Sequence, residues 1–337
     1  MIDARFFQFK GPFRVSELAK TLSVEFQGED KILMGAASLK QAKEGDLACC
    51  HQASYVKELE TSTASVCIVH PNFAPRAPKG MTLFISEKPY RLWAKCLKIL
   101  YKEPQTKSFI SPSAYVDESA LLGEGVTIEP FSYIGKNVKI GANTVVKSHA
   151  TLEDGVEVGK NCVISFHVSL SNSVIGNDVY IKPGARIGQQ GFGFDMDEMG
   201  PFDILQLGRV IIKDNVVIGS NTTIDRGAGP DTVIGTGVRI DNLVQVAHNA
   251  VIGDYCVMVA QSGIAGSSTL QNYVVVAGQV GIAGHLTIGA GARIAAQSGV
   301  MRDVAPQETV AGTPCVPVRD WHKQTIALAK LIKKKEA

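Results

Sequence analysis

Ile234-Gly-Thr-Gly-Val-Arg-Ile240-Asp-Asn-Leu-Val-Gln-Val246-Ala-His-Asn-Ala-Val-Ile252 decides the fold of this chain. An aliphatic residue returns at every sixth position, with small and polar residues between. The same beat runs outward in both directions. Upstream it reads Ile110, Val116, Leu122, Ile128, Ile134, Ile140, Val146, Leu152, Val158, Ile164 and Leu170, slips by one residue, and resumes at Ile175, Ile181 and Ile187. After a gap it returns at Ile212, Ile218 and Ile224, and downstream it continues from Met258 and Ile264 through Ile282 to Val300. A period of six matches neither the alternation of a strand nor the 3.6 of a helix. It fits a short straight segment with one inward side chain, then a corner that small or polar residues allow to turn. Three segments close a triangular coil of about 18 residues, and coils stack at about 4.8 Å. The expected fold is therefore mainly β, a parallel β-helix whose core is a stack of aliphatic columns. The crossover rule for parallel strands would by itself make it right-handed.

The 337 residues exceed one average domain and divide into three parts. Residues 1–105 lack the hexad and read as a small α/β domain. A helix begins near a Ser16 cap, Val66–Val69 and Thr82–Ile85 are buried strands, and Pro89–Lys102 is a second helix. Residues 106–318 are the solenoid, interrupted by a long insertion from Gln189 to Gly208 and a short one from Asp225 to Asp231. Loops thrown from one corner of a regular scaffold are where function concentrates. Residues 319–337 form a basic amphipathic helix with Trp321, Thr325, Leu328 and Ile332 at helical spacing. Lys330, Lys333, Lys334 and Lys335 give it positive charge, suited to an acidic partner or to a solvated cap on the solenoid.

A net charge of +2 gives no nucleic-acid signal, and no apolar run is long enough to span a bilayer. The N-terminus shows no signal-peptide core, so a cytoplasmic location is expected. The seven cysteines form neither a metal-ligand spacing nor a disulfide framework. No phosphate loop and no His-Glu-x-x-His motif is present, and no metal is expected.

The histidines are the remaining source of chemistry. His248 lies two places after the inward Val246, and His285 three places after the inward Ile282. They are 37 residues apart, two coils plus one, which puts them on one face about 10 Å apart by strand spacing. A reacting centre fits between them, and Asp241 and Asn242, one face earlier, stand near enough to orient an imidazole. His149 and His167 are 18 apart and must stack on neighbouring coils. They read as a surface or interface ladder rather than a metal pair, for want of a third ligand.

Several stretches then resemble one family in order. They are Gly191-Phe-Gly-Phe194, Gln206-Leu-Gly-Arg-Val-Ile-Ile212, Thr222-Thr-Ile-Asp-Arg-Gly227, Ile240-Asp-Asn242 with Gln245-Val-Ala-His-Asn249, and Met301-Arg302. Together they resemble the UDP-3-O-acylglucosamine N-acyltransferases of lipid A biosynthesis, within the hexapeptide-repeat acyltransferases. The resemblance implies a left-handed β-helix, a homotrimer, and transfer of a 3-hydroxyacyl chain from acyl carrier protein to the 2-amino group of a UDP-sugar. It implies His248 as general base, Asp241 as holder of its tautomer, and His285, Asn242 and Gln245 against the sugar-nucleotide. Arg302, Lys330, Lys333 and Lys334 would receive the carrier protein and its phosphopantetheine arm, a co-substrate rather than a resident cofactor. Gly299 and Ala296 would line an acyl groove. Proximity to a membrane surface is implied without a membrane segment. In the N-terminal domain the family holds uracil by an aromatic residue, then Asn, then Lys-Tyr. The aligned positions here are Cys49, Gln52 and Tyr55, so the aromatic and the Asn are both replaced. Other classes compete with this reading. A zinc enzyme of the carbonic anhydrase type needs a histidine five places after His248, where Gly253 stands. A non-catalytic solenoid would not need the paired histidines, and a related sugar O-acyltransferase lacks a domain like residues 1–105.

Overall fold

The computed structural model describes residues 2–3, 5–102 and 108–335, with side chains as far as Leu331. The chain separates into two compact units, Met1–Gln105 and Thr106–Ala337.

The first unit is built on a four-stranded parallel sheet of Gly35–Ala36, Asp46–Cys50, Val66–Val69 and Thr82–Ile85, in that spatial order. The two buried strands expected from sequence are its third and fourth. The first two were not legible, because Asp46-Leu-Ala-Cys-Cys50 has neither clean alternation nor β-branched residues. Leu47, Val66, Ile68 and Phe84 pack one face against Leu92, Cys96 and Leu100 of the helix Pro89–Leu100. That helix stops short of the expected Lys102. Tyr101–Lys102 instead pairs antiparallel with Gln8–Phe9, an edge supplied by the N-terminus. The first helix runs Val15–Leu22, so Ser16 is inside it rather than its cap. Glu17 accepts from the backbone N–H of Arg14 at 3.1 Å, while the Ser16 hydroxyl donates to Asp30 at 2.9 Å. Glu17 therefore satisfies the end that Ser16 was expected to close.

The second unit is the β-helix. Its strands of two to four residues assemble into sheets of nine, ten and eleven strands, parallel apart from one antiparallel strand, Val316–Pro317, at the end of the eleven-stranded sheet. Ile134 pairs with Leu152, Leu152 with Leu170, and Val246 with Ile264, each the next coil at the same step of the repeat. The single-residue slip read in the sequence shortens one coil, so that Val158 pairs with Ile175. The inward aliphatics form one continuous buried cluster from Val126 to Cys315. Each apolar side chain removed from water contributes roughly 1.5–3 kcal/mol, which makes this column the main source of the fold's stability.

The corners are regular. Most turns end in a left-handed residue, which explains the many Asn, His, Gln and Gly there; Asn143, Asn161, Asn249 and His285 have φ of 59, 57, 62 and 60°. These N–H groups are satisfied by the coil before, as when Asn143 donates to Glu124 O at 2.8 Å.

The long insertion is an antiparallel hairpin, Phe194–Asp197 with Gly200–Asp203. Its root is tied to the solenoid by Arg226. The Arg226 Nε donates to Gln206 O at 2.9 Å, and Nη1 donates to Asn172 Oδ1 and Gly188 O at 3.1 and 3.3 Å. Arg209 and Asp231 join the two insertions by a two-pronged ion pair. Beyond the last coil a helix runs Val318–Lys335, and Trp321 lies against Gly312, where a side chain would strike the indole. Among the described residues no helix is long and apolar enough to cross a membrane.

Candidate active site

His248 and His285 share a corner. His248 follows the strand Gln245–Val246, His285 follows Gly281–Ile282, and both strands belong to the ten-stranded sheet, two coils apart. Arg302 follows Gly299–Val300 at the same corner of the next coil, exposed like His285. One edge of the solenoid thus presents His248, His285 and Arg302 in line.

The half-buried His248 ring is held on two sides. A Cβ on Gly191 would come within 2.9 Å of His248 Cβ, and one on Gly266 within 2.7 Å of Nε2 and 2.6 Å of Cε1. The long insertion therefore lies on one side and the next coil on the other, each without a side chain so that the ring fits. Gln206, buried at the insertion's root, packs its amide on Gly191 and Gly193, which accounts for the Gly-Phe-Gly-Phe pattern.

Asn249 fixes the tautomer. Its Nδ2 donates to Pro230 O at 2.7 Å and its Oδ1 accepts the Ala228 N–H at 3.2 Å, so the amide orientation is determined by the short insertion. The same Oδ1 lies 2.8 Å from His248 Nδ1. An acceptor there requires Nδ1 to carry the proton, which leaves the Nε2 lone pair free. This corrects the role expected of Asp241. Asp241 lies at the other end of the short strand, its carboxylate accepting the Asn242 N–H at 2.8 Å, and no hydrogen bond joins it to His248 among the described residues. Asn242 sits at that same far corner, where its Oδ1 accepts from Ser220 N–H at 2.7 Å. The spacing put Asp241 one corner away; that its side chain closes its own turn was not legible.

Gln245, outward on its strand, reaches back along the sheet to Asp225. Its Nε2 donates to Asp225 Oδ2 at 2.8 Å, and Gln189 Nε2 donates to Oδ1 at 2.9 Å. Asp225 is 4% exposed. Burial raises its pKa, while the two amide donors and a positive charge on His248 act in the opposite direction. Asn249, Asp225, Gly266 and Gln206 were assigned no role in the sequence reading, although all but Gly266 lie in stretches it quoted.

Beside this corner runs an apolar groove of about 450 Å³. Its floor is one outward column of the ten-stranded sheet, Gln245, Gly263, Gly281 and Gly299, in which three successive side chains are missing. Ala247, Ala265, Ala283 and Met301 form its wall. Gly299 is in place, whereas Ala296 is at the preceding corner and outside the lining. The signal missed was the glycine column at the coil period.

The thiols offer no nucleophile here. All seven are free; burial pushes Cys256 up to about 11 and raises Cys162. In the N-terminal unit, Tyr55 and Gln52 are exposed on the loop after Asp46–Cys50, at the carboxyl edge of the parallel sheet. Cys49 is half-buried toward the Leu92–Cys96 helix, and burial pushes its thiol up to about 12. The aromatic surface at that edge comes instead from His51, whose ring centroid is 5.3 Å from Tyr55 and 4.5 Å from Tyr90. Lys330 is exposed on the C-terminal helix; the side chains of Lys333 and Lys334 lie outside the described residues.

A solenoid of hexapeptide coils with a histidine poised at one corner is the build of the hexapeptide-repeat transferases. The family described as bacterial transferase hexapeptide (six repeats) matches residues 119–154 and 231–266. The family described as UDP-3-O-(3-hydroxymyristoyl) glucosamine N-acyltransferase, LpxD, matches residues 30–99. A UDP-3-O-acylglucosamine N-acyltransferase 2 of Legionella pneumophila (strain Paris) is 52% identical over 99% of this chain and 98% of its own length. One from Methylorubrum populi is 48% identical over 88% and 86%. Among solved structures, an Arabidopsis UDP-N-acetylglucosamine acyltransferase superposes with a TM-score of 0.52 and 25% identity, covering 62% of this chain and 73% of its own. The chain belongs to the UDP-3-O-acylglucosamine N-acyltransferase family, and it is an acyltransferase on a left-handed β-helix.

Proposed function

We propose that this protein transfers a 3-hydroxyacyl group from acyl carrier protein to the 2-amino group of UDP-3-O-acyl-glucosamine, a cytoplasmic step of lipid A biosynthesis, with His248 as general base. The observation that supports this best is the fixed tautomer: Asn249 holds Nδ1–H, and Nε2 is the free lone pair. Nε2 takes a proton from the amine as the nitrogen attacks the thioester carbonyl. The Gly266 N–H makes no backbone hydrogen bond among those described and lies one coil beyond His248, positioned for the oxyanion. The tetrahedral adduct collapses, the carbon–sulfur bond breaks, and the proton on Nε2 passes to the leaving thiolate.

His285 contacts the sugar-nucleotide along the same edge. Arg302, one coil further, meets the phosphate of the phosphopantetheine arm, and Lys330 with Lys333 and Lys334 meets the acidic carrier protein. The acyl chain lies in the glycine-floored groove, an apolar channel adjoining the reacting corner. The uracil stacks on Tyr55 at the carboxyl edge of the N-terminal sheet, where parallel sheets place their ligand loops. The working unit is a homotrimer, with a second subunit closing each exposed corner.

The test is direct. Purified protein is incubated with a 3-hydroxyacyl carrier-protein thioester and the UDP-sugar, and the N-acylated product is followed by mass spectrometry. Acylation of a sugar hydroxyl in place of the amine would assign the chain to the O-acyltransferases; no turnover with any thioester would overturn the reading.

A further inference from the structure

Asp225 presents an anomaly of charge. Both its oxygens accept hydrogen bonds, and both donors are neutral amides, from Gln189 and Gln245. The Gln245 amide is itself oriented, since its Oε1 accepts from the Thr223 hydroxyl. Two accepting oxygens suit an ionised carboxylate. A buried carboxylate with only neutral partners is poorly compensated, and such charges are ordinarily paired. No Lys or Arg forms an ion pair with Asp225 among the described residues. The adjacent Arg226 directs its guanidinium to Gln206 O, Asn172 Oδ1 and Gly188 O.

The register shows what faces it. Ile224 pairs with Val246, so Asp225 lies beside Ala247, and His248 is the next residue. The elements next to His248 carry Asp225 and Arg226 on the preceding coil and Asp231 on the short insertion, with His285 two coils on. Asp231 is neutralised by Arg209. Asp225 is the one anion of this set without a cationic partner among the described residues.

We propose that Asp225 is the electrostatic partner of His248, a buried carboxylate whose charge is answered when the imidazole takes the proton of the attacking amine. The proposal rests on the reading of His248 as general base. It separates two tasks within one site: neutral Asn249 fixes which nitrogen carries the proton at rest, and Asp225 stabilises the imidazolium of the reaction. Asp225 touches neither substrate nor reacting atoms, so it is a positioning residue acting through His248. The carboxylate remains ionised while the proton travels from amine nitrogen to Nε2 and on to the departing sulfur.

The readout is the pH dependence of kcat/KM, measured on the full chain with thioester and UDP-sugar. Asp225→Asn removes the charge and keeps the shape. Its kcat is expected to fall roughly 10–100-fold, within the range of acid–base effects. The acidic limb of its profile is expected to move to lower pH by on the order of one unit, because the imidazolium has lost its counter-charge. Gln189→Lys tests the same point without touching Asp225: a cation beside the carboxylate neutralises it, and the limb moves the same way. Gln189→Leu keeps the charge, removes one hydrogen bond, and leaves the limb in place. A limb that stays at its wild-type pH in Asp225→Asn, or in Gln189→Lys where Asp225→Asn does not fold, overturns the proposal. His248→Ala separates the two readings: near-normal turnover there overturns the base assignment itself, whereas an inactive His248→Ala with an unmoved Asp225→Asn limb overturns only the partnership.

Discussion

Two pairs of histidines sit on one repeating scaffold and end in different states. His149 and His167 are one coil apart, and their rings stack at 5.0 Å with planes 15° apart. Phe131 extends the same ladder, 5.2 Å from His149. His248 and His285 are two coils and one residue apart, and the corner of the coil between them carries only the small residues Gly266 and Ser267. The difference is one of spacing. A period of one coil brings identical side chains into contact, and each ring face is used by its neighbour. A spacing of two coils, with glycine between, leaves a space about 10 Å long whose walls are a histidine at each end. The first arrangement makes a surface column, and the second leaves open space between the two rings.

The largest expected effect follows from that contrast. His248→Ala should lower turnover by about 10²–10⁴, the usual contribution of a general base, with little change in melting temperature. His149→Ala should leave kcat/KM within error of wild type. Equal losses in the two variants would erase the distinction between the pairs.

Gly266→Ala sharpens it with a smaller change. A methyl group there would stand 2.7 Å from His248 Nε2, so the ring must leave its position. A misplacement of about 1 Å at a reacting group costs roughly 10²-fold. The loss should appear in kcat, with the KM for the UDP-sugar changing less. Wild-type kcat in this variant would mean that the ring position seen here is not the one used.

The groove gives the third comparison, between two of its own glycines. Gly281 has nothing within 4 Å of where a Cβ would stand, whereas a Cβ on Gly299 would meet the Thr313 methyl at 3.0 Å. Gly299 was one of the two positions expected from sequence to line the groove, but a side chain there first displaces Thr313. Gly281→Leu should fill the channel without strain and shift preference toward shorter thioesters, since overfilling a packed site costs about 1–3 kcal/mol. An unchanged ratio of kcat/KM for long and short thioesters would remove the acyl chain from this groove.

The hexad exposed the solenoid from Ile110 to Val300 because inward positions must be apolar and every coil repeats the last, whereas the closing coil, with Val304 and Val310 inward, falls out of that beat. It exposed the shared corner of His248 and His285 for the same reason, since position in a periodic fold is arithmetic. What a side chain does at a corner is not periodic. Asp241, seven residues before His248, was the expected partner, yet it closes its own turn; Asn249, the next residue, is oriented by Pro230 and Ala228 of an insertion with no repeat at all. Asp225 was read only as the edge of that insertion; its burial depends on Gln189 and Gln245 from the coils on either side. The N-terminal sheet was half legible, because Asp46–Cys50 is buried by its neighbours rather than by its own pattern.

The smallest effect belongs to the ladder. His149 occupies a left-handed position with φ of 62°, which an unbranched polar residue such as Asn tolerates and Ala does not. His149→Asn therefore removes the ring and keeps the turn. It gives up the contacts to Phe131 and His167, and aromatic pairs contribute about 0.5–1.5 kcal/mol beyond simple burial. Both rings are at the surface, so the lower end of that range applies. His149→Ala adds the strain of the backbone to the loss of the ring and should be the less stable of the two. Denaturant midpoints of the two variants, at constant slope, measure the difference. If His149→Asn matches wild type and only His149→Ala is destabilised, the histidine was placed for its backbone and the stacking is incidental. If both are destabilised with turnover intact, the column is a structural use of the residue for which a chemical role is proposed at His248.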